Sequence, residues 1–224
     1  MILTAPSRLN APMALAVDPY QLGPIGTNCY VVRTDRAARE AAVVDPGGDA
    51  EQLHAELARA GISCAGIVLT HTHFDHVGGV ADLADATGAP VYVSPDAVGG
   101  LEAPFSPPGL DVRGYEGARY VAGGDTLELA GIGFDVLDVP GHAPGHLSYY
   151  ADGSLFSGDV LFAGGVGRVD LPGGDWETLL DSIRLLADRY PPETAVYSGH
   201  GPATTLEAEL ARNPFLAELR SASQ

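Results

Sequence analysis

Residues 66–76 read Gly66-Ile67-Val68-Leu69-Thr70-His71-Thr72-His73-Phe74-Asp75-His76, an apolar run that ends in four metal-ligating side chains within six positions. The run is short, uncharged and β-branched, so it reads as a buried strand, and the hexapeptide from His71 to His76 falls where the chain leaves it. His71 and His73 are two residues apart. On extended backbone that spacing turns both imidazoles to one side, where they can share an ion. Asp75 and His76 open the next helical pattern and face a second position nearby. Three more ligand types stand in turn-rich settings: His142 in Gly141-His142-Ala143-Pro144-Gly145-His146, Asp159 in Ser157-Gly158-Asp159, and His200 in Gly199-His200-Gly201. His142 completes a site with His71 and His73, and His200 one with Asp75 and His76. The short carboxylate of Asp159 suits a bridge between two ions, which lie about 3.5–4 Å apart in two-metal hydrolases.

Outward from this stretch the chain alternates sheet and helix. Strands are expected near 14–18, 28–33 and 41–45, the second being Asn28-Cys29-Tyr30-Val31-Val32-Arg33. A helix follows over 49–60, with Leu53, Leu57 and Ala60 at helical spacing and Gly61 as its stop. After the strand 66–70, a helix is predicted over 75–86 with Val77, Val80, Leu83 and Ala84 inward, then a strand over 90–94. Residues 101–118, rich in Gly and Pro, read as a surface loop. Short strands return at 127–129, 134–139, 147–150 and 154–156, and 176–190 is the clearest amphipathic helix. A strand at 195–197 delivers His200, and a helix over 206–219, interrupted near Pro214, closes the pattern. Sheet and helix followed by sheet and helix describes an α/β protein: two packed mixed sheets with helices on the outer faces.

The length, 224 residues, suits one domain spanning 1–224, large enough to bury about 70% of the surface of the unfolded chain. A formal charge of −17, with twelve Arg and no Lys, opposes binding to nucleic acid or to an anionic membrane surface. No segment has the ~18 apolar residues of a membrane span. Residues 1–17 carry one Arg and a broken apolar stretch, Met13-Ala14-Leu15-Ala16-Val17, unlike a secretory leader, so a cytoplasmic setting is expected. Cys29 and Cys64 have neither zinc-knuckle nor redox spacing and read as reduced thiols. The sequence leaves monomer and homodimer equally open.

Five of the seven His belong to the donor set. His54, inside an ordinary helix pattern, reads as a surface residue. His146 reads first as a hydrogen-bonding or solvated turn residue, and secondly as a support for a ligand. Asp45, in Val44-Asp45-Pro46-Gly47-Gly48, reads equally as a turn former and as a carboxylate behind a ligand imidazole.

The motif His71-x-His73-x-Asp75-His76, followed by His142, Asp159 and His200 in that order, resembles that of the metallo-β-lactamase superfamily, over roughly residues 14–216. The resemblance implies an αββα sandwich with metals at one edge: His71, His73 and His142 on one ion, Asp75, His76 and His200 on the other, Asp159 on both. Two divalent ions are implied, zinc first, with iron or manganese acceptable to the same donors. Asp at position 159, rather than Cys, is unlike the true β-lactamase branch. Gly158-Asp159-Val160-Leu161-Phe162, Gly164-Gly165-Val166-Gly167-Arg168 and Asn213-Pro214-Phe215-Leu216 resemble glyoxalase II-like hydrolases, which cleave hydroxyacyl-glutathione thioesters. The chain looks like a shortened form, without the helical C-terminal extension that binds glutathione there. It also departs at Asp170, where an aromatic substrate contact is expected, and at Pro202, where a Tyr is.

The expected reaction is thioester hydrolysis of a small molecule by a hydroxide at the dinuclear centre, with Asp75 orienting it, Asp159 bridging, and Arg168 meeting a substrate carboxylate. The rival is a persulfide dioxygenase with one iron on His71, His142 and Asp159, which the stretch Gly167-Arg168-Val169-Asp170 also resembles. Gly199-His200-Gly201-Pro202 looks like the hydrolase form. Lactonase and phosphodiesterase activities would use the same donors with a different pocket.

Overall fold

Along β2 (Thr27–Arg33) every residue is buried, and the alternation of its side chains explains why. Cys29 and Val31 point to one hydrophobic layer and Tyr30 and Val32 to another, so the strand lies inside a sandwich with both faces covered. The computed structural model describes residues 15–217 and Leu219. The reading of residues 1–17 as unlike a secretory leader falls, for residues 1–14, outside the described residues.

One sheet contains β1 (Ala16–Leu22), β2, β3 (Glu40–Val44), β4 (Ser63–Val68), β5 (Val91–Val93) and β6 (Arg119–Tyr120), in that order. Its first two pairings are antiparallel and the remaining three parallel. The other sheet takes β7 (Thr126–Leu129), β8 (Ile132–Asp138), β9 (Leu147–Ala151) and β10 (Ser154–Gly158). A small ribbon of β11 (Leu161–Phe162) and β12 (Gly165–Val166) intervenes before β13 (Ala195–Ser198) and β14 (Thr204–Thr205). In space this sheet runs β14-β13-β10-β9-β8-β7, with β10 and β13 parallel.

Tyr30, Val32, Ala42 and Val44 of the first sheet meet Phe134, Val136, Tyr149 and Phe156 of the second in the central layer. Phe134, Tyr149 and Phe156 are fully buried, so truncating any of them to Ala costs about 3–5 kcal/mol. Outside the first sheet lie α1 (Ala50–Ala60), α2 (Phe74–Val77) and α3 (Val80–Thr87). Leu53, Leu57, Val80 and Leu83 form the first outer core. After α4 (Val98–Glu102), α5 (Trp176–Arg189) and α6 (Leu206–Arg212) cover the second sheet, with Leu179, Leu180, Ile183 and Leu186 inward. Asp175 caps α5 by accepting from the Thr178 N–H, a contact that stabilises such helices by about 1 kcal/mol.

Most expected elements form within two or three residues of their sequence bounds, and the layering is the expected one. The first strand, expected near 14–18, runs on to Leu22, and the helix over 75–86 splits into α2 and α3 at Gly78 and Gly79. Both glycines press on the loop after β3: a Cβ on Gly78 would sit 2.6 Å from the Gly47 carbonyl oxygen, and one on Gly79 2.9 Å from those of Pro46 and Gly48. The Gly79 N–H bonds the Pro46 carbonyl at 2.8 Å, so tertiary contact replaces helix continuity there. Residues 101–118 begin as the end of α4 before becoming irregular, and the ribbon β11–β12 was not anticipated.

Candidate metal centre

Parallel strands end on one edge of the sandwich, and the donor residues follow those ends. Past β3 comes Asp45, past β4 the stretch His71–His76, past β10 Asp159, and past β13 His200. This is where open α/β sheets usually hold ligands. The sheets are laced together at this edge: the Leu147 N–H donates to the Thr70 carbonyl (2.7 Å), the Tyr149 hydroxyl to Leu69 (2.9 Å) and the Tyr30 hydroxyl to Ser198 (2.6 Å). Asn28 grips the loop carrying His200, its backbone N–H on the Gly199 carbonyl (2.8 Å) and its amide on those of Ser198 (2.9 Å) and Gly201 (2.8 Å).

All seven donors named from the sequence meet in one cluster. His73 Nδ1 lies 3.0 Å from His71 Nε2 and 2.9 Å from His142 Nε2. On the other side, His76 Nε2 lies 3.5 Å from Asp75 Oδ2 and 3.3 Å from Asp159 Oδ1. His200 Nε2 lies 3.3 Å from Asp75 Oδ2 and 3.4 Å from Asp159 Oδ2. Asp159 thus stands between the two groups, its Oδ2 also 3.7 Å from His142 Nε2.

Hydrogen bonds behind the cluster fix three tautomers. The Thr70 hydroxyl spends its one proton on Asp45 Oδ2 (2.6 Å), so at His71 Nδ1 (3.1 Å) it can only accept, and His71 carries its proton there. His142 Nδ1 donates to the Arg168 carbonyl at 2.8 Å, and His76 Nδ1 to Asp45 Oδ2 at 2.9 Å. In the neutral rings Nε2 of His71, His76 and His142 is therefore a bare lone pair turned into the cluster. His76 Nε2 and Asp159 Oδ1 are buried without a hydrogen-bond partner. Lone pairs and carboxylates packed this closely repel one another unless cations lie among them. Their separations are close to the about 3.3 Å that a tetrahedron of ligands with 2.0–2.1 Å metal–nitrogen bonds requires. The side chains present therefore fit a pair of metal ions, and Gly199 leaves room for them: a Cβ there would lie 2.2 Å from Asp159 Oδ1.

Electrostatics divide the cluster. Burial, reinforced by neighbouring imidazoles, drives the basicity of His71 well down and that of His73 to about 4. Burial opposes ionisation of Asp75, but hydrogen bonding from His200 and the nearby His76 outweigh it and hold the carboxyl at about 2. Hydrogen bonds to Asp159 and Asp75 raise His200 to about 9. For His76, burial works against protonation, yet Asp159 and Asp45 prevail and raise it. Both rings thus hold a proton more tightly than a free imidazole does, and a metal competes with that proton for Nε2.

Two neighbours were undervalued by the sequence. Asp45 is both of the things it read as: it sits in a turn at φ 50° and accepts from His76 and from the Thr70 N–H (2.8 Å) and hydroxyl. His146 is fully buried, stacks on the His71 ring at 4.6 Å, and accepts the Asp159 N–H at Nε2 (3.2 Å). Its spacing of four from His142 was the available signal. Arg168 borders the cleft, but its Nε and Nη2 lie on the two oxygens of Asp170 (2.6 and 2.7 Å), while its carbonyl supports His142. His54 lies in α1, away from the cluster.

Two stacked mixed sheets, flanked by helices and bearing a His/Asp cluster at one edge, define a metallo-hydrolase. The chain belongs to the metallo-beta-lactamase superfamily, whose model matches residues 22–200. It is 34% identical to the hydroxyacylglutathione hydrolase GloC of Haemophilus influenzae, over 84% of this chain and 92% of that protein. Among solved structures it resembles the BLEG-1 B3 metallo-beta-lactamase (40% identity, TM-score 0.84, covering 90% of this chain and all of that one). It likewise resembles TTHA1623 in a di-iron-bound form (41% identity, TM-score 0.80, covering 89% and 100%). No helix among the described residues is long and apolar enough to cross a membrane.

Proposed function

We propose that the protein hydrolyses the thioester of a small molecule, a hydroxyacyl-glutathione or a related thiol conjugate, at a centre of two divalent ions. The observation that best supports this reading is the convergence of three fixed Nε2 lone pairs with the carboxylates of Asp75 and Asp159. His71, His73 and His142 would hold one ion, Asp75, His76 and His200 the other, and Asp159 both. Zinc is the expected metal, and iron or manganese would be accepted by the same donors. Such a pair supplies hydroxide at neutral pH and stabilises charge developing on a carbonyl oxygen.

The chain's own groups provide position and proton state. Asp75 borders the cleft, and the Thr27 hydroxyl, donating to Oδ2 at 2.7 Å, fixes the carboxylate where it can orient the attacking water. Asp45, the Arg168 carbonyl and Thr70 keep the imidazoles in the tautomers that leave Nε2 free. Water adds at the carbonyl carbon, the C–S bond breaks, and the products at neutral pH are a carboxylate, a thiol and one proton. A cytoplasmic setting, with Cys29 and Cys64 as free thiols, accords with this reading.

The test is turnover of S-lactoylglutathione and of the neutral S-lactoyl-N-acetylcysteamine by metal-loaded protein, abolished by chelation and restored by metal; absence of turnover of every thioester in the loaded protein refutes the proposal. The match to BLEG-1 favours a second reading, opening of a β-lactam amide by the same groups. A chromogenic cephalosporin in the same assay separates the two. The dioxygenase reading needs only His71, His142 and Asp159, and the hydrolase-like stretch Gly199-His200-Gly201-Pro202 weighs against it.

A further inference from the structure

Beside the cluster opens a cleft of about 560 Å³ whose floor is formed by His73, Asp75, His142, Asp159 and His200. Its walls are apolar and come from separate segments. Ile25 stands on the β1–β2 turn, Phe105 on the loop after α4, Phe162 and Val166 on the ribbon β11–β12, and Leu171 just beyond. Ile25 is 56% and Phe105 72% exposed, so two large apolar side chains face water at the mouth of the site. The Phe162 ring lies 5.9 Å from the His200 ring, continuing the apolar wall to the edge of the donor cluster.

Charge in the cleft is as telling as its shape. Among the described residues that line it, Arg168 is the one guanidinium or ammonium, and Asp170 takes up both its Nε and Nη2. The sequence supplies no lysine, and the whole chain carries −17. A glutathione conjugate brings two carboxylates, for which this cleft offers no unpaired cation among the described lining residues. An uncharged, apolar substituent meets instead walls that lose water-exposed surface on contact.

We infer that the cleft selects thioesters that are uncharged on both sides of the scissile bond and carry an aliphatic or aromatic group, with Ile25 and Phe105 as specificity-determining residues. This rests on the thioester-hydrolase reading and names its substrate class. The Arg168–Asp170 pair then acts as a charge-neutral part of the rim rather than as a carboxylate receptor.

The test compares three substrates on the metal-loaded protein: S-lactoylglutathione, S-lactoyl-N-acetylcysteamine, and S-hexanoyl-N-acetylcysteamine. The expected result is a kcat/KM at least tenfold higher for the hexanoyl than for the lactoyl ester of the neutral thiol, and higher for the neutral lactoyl ester than for S-lactoylglutathione. Ile25→Ala/Phe105→Ala should erase most of the hexanoyl advantage through KM, at unchanged metal content. Asp170→Asn, which frees the guanidinium, should raise kcat/KM for S-lactoylglutathione severalfold without helping the neutral esters. A wild-type preference for S-lactoylglutathione, or a hexanoyl advantage untouched by the double substitution, overturns the inference while leaving thioester hydrolysis standing. Failure of all three thioesters to react overturns the underlying reading, and the inference with it.

Discussion

Asp45→Asn is a nearly isosteric change that removes one charge behind the metal cluster. Asparagine tolerates the positive φ of 50° at this position better than Ala does, so the backbone turn should survive. The carboxylate accepts three protons, from the Thr70 N–H on Oδ1 and from the Thr70 hydroxyl and His76 Nδ1 on Oδ2. An amide has one accepting oxygen. If that oxygen faces His76, the amide NH₂ opposes the Thr70 N–H, leaving a buried donor unpaired at about 1–3 kcal/mol. If the amide is turned over, its NH₂ meets His76 Nδ1, which must then become an acceptor, and the ring's proton moves to Nε2, the atom aimed at Asp159. Loss of such a supporting carboxylate typically weakens metal binding about 10- to 100-fold, which corresponds to about 1.4–2.8 kcal/mol. The assay is a chelator-competition titration of each metal equivalent. The ion on the side of His76 and His200 should weaken by that factor; the one on the side of His71, His73 and His142 weakens with it only where the amide is turned over, because the Thr70 hydroxyl then loses its acceptor and can donate to His71 Nδ1. Affinities of both within twofold of the wild type would refute the assignment of Asp45 and the tautomer argument built on it.

Three other outcomes are expected. Asp159→Ala should prevent binding of a metal pair and abolish activity, whereas His54→Ala should leave metal content and turnover intact; full activity without Asp159 removes its bridging role. Gly199→Ala would place a Cβ 2.2 Å from Asp159 Oδ1 and 2.6 Å from His76 Cε1, so metal content should fall although the substitution adds one methyl; normal loading would mean that the loop yields freely. The folded pKa of His200, about 9, lies above its ordinary 6.5, so in the metal-free protein its contribution to stability is complete below pH 6.5 and is lost as pH rises to about 9. Denaturant midpoints of the chelated protein should therefore fall over that window, and those of the metal-loaded protein should not; a chelated protein that gains stability from pH 6.5 to 9 would contradict the ion pairs described here.

The strand end and its hexapeptide were readable because ligand chemistry and hydrophobic patterning coincide there: Ile67, Val68 and Leu69 are fully buried and His71 follows them into the core. The same holds for α5, whose period of 3.6 reflects the sheet it packs on, and for β2, whose β-branched and aromatic run reflects cover on both faces. Elsewhere the deciding contact is remote in sequence. Nothing local to Gly78-Gly79 reveals that the loop 46–48 presses against it and divides the helix. His146 looks like any turn histidine until β9 and β10 pair antiparallel and its imidazole meets the Asp159 N–H. Arg168 shows the same limit from the other side: the sequence displays a cation beside the site, but only the folded loop shows that Asp170 engages its fork.

The central claim is a paired metal centre that cleaves a thioester. Its most direct test is the metal content of the purified, fully loaded protein, taken together with turnover of S-lactoylglutathione and of the neutral thioesters. Close to two ions per chain, with thioester cleavage that rises in proportion to occupancy of the second, is the expected result. One iron per chain, with oxygen uptake on glutathione persulfide and no thioester cleavage, would contradict it.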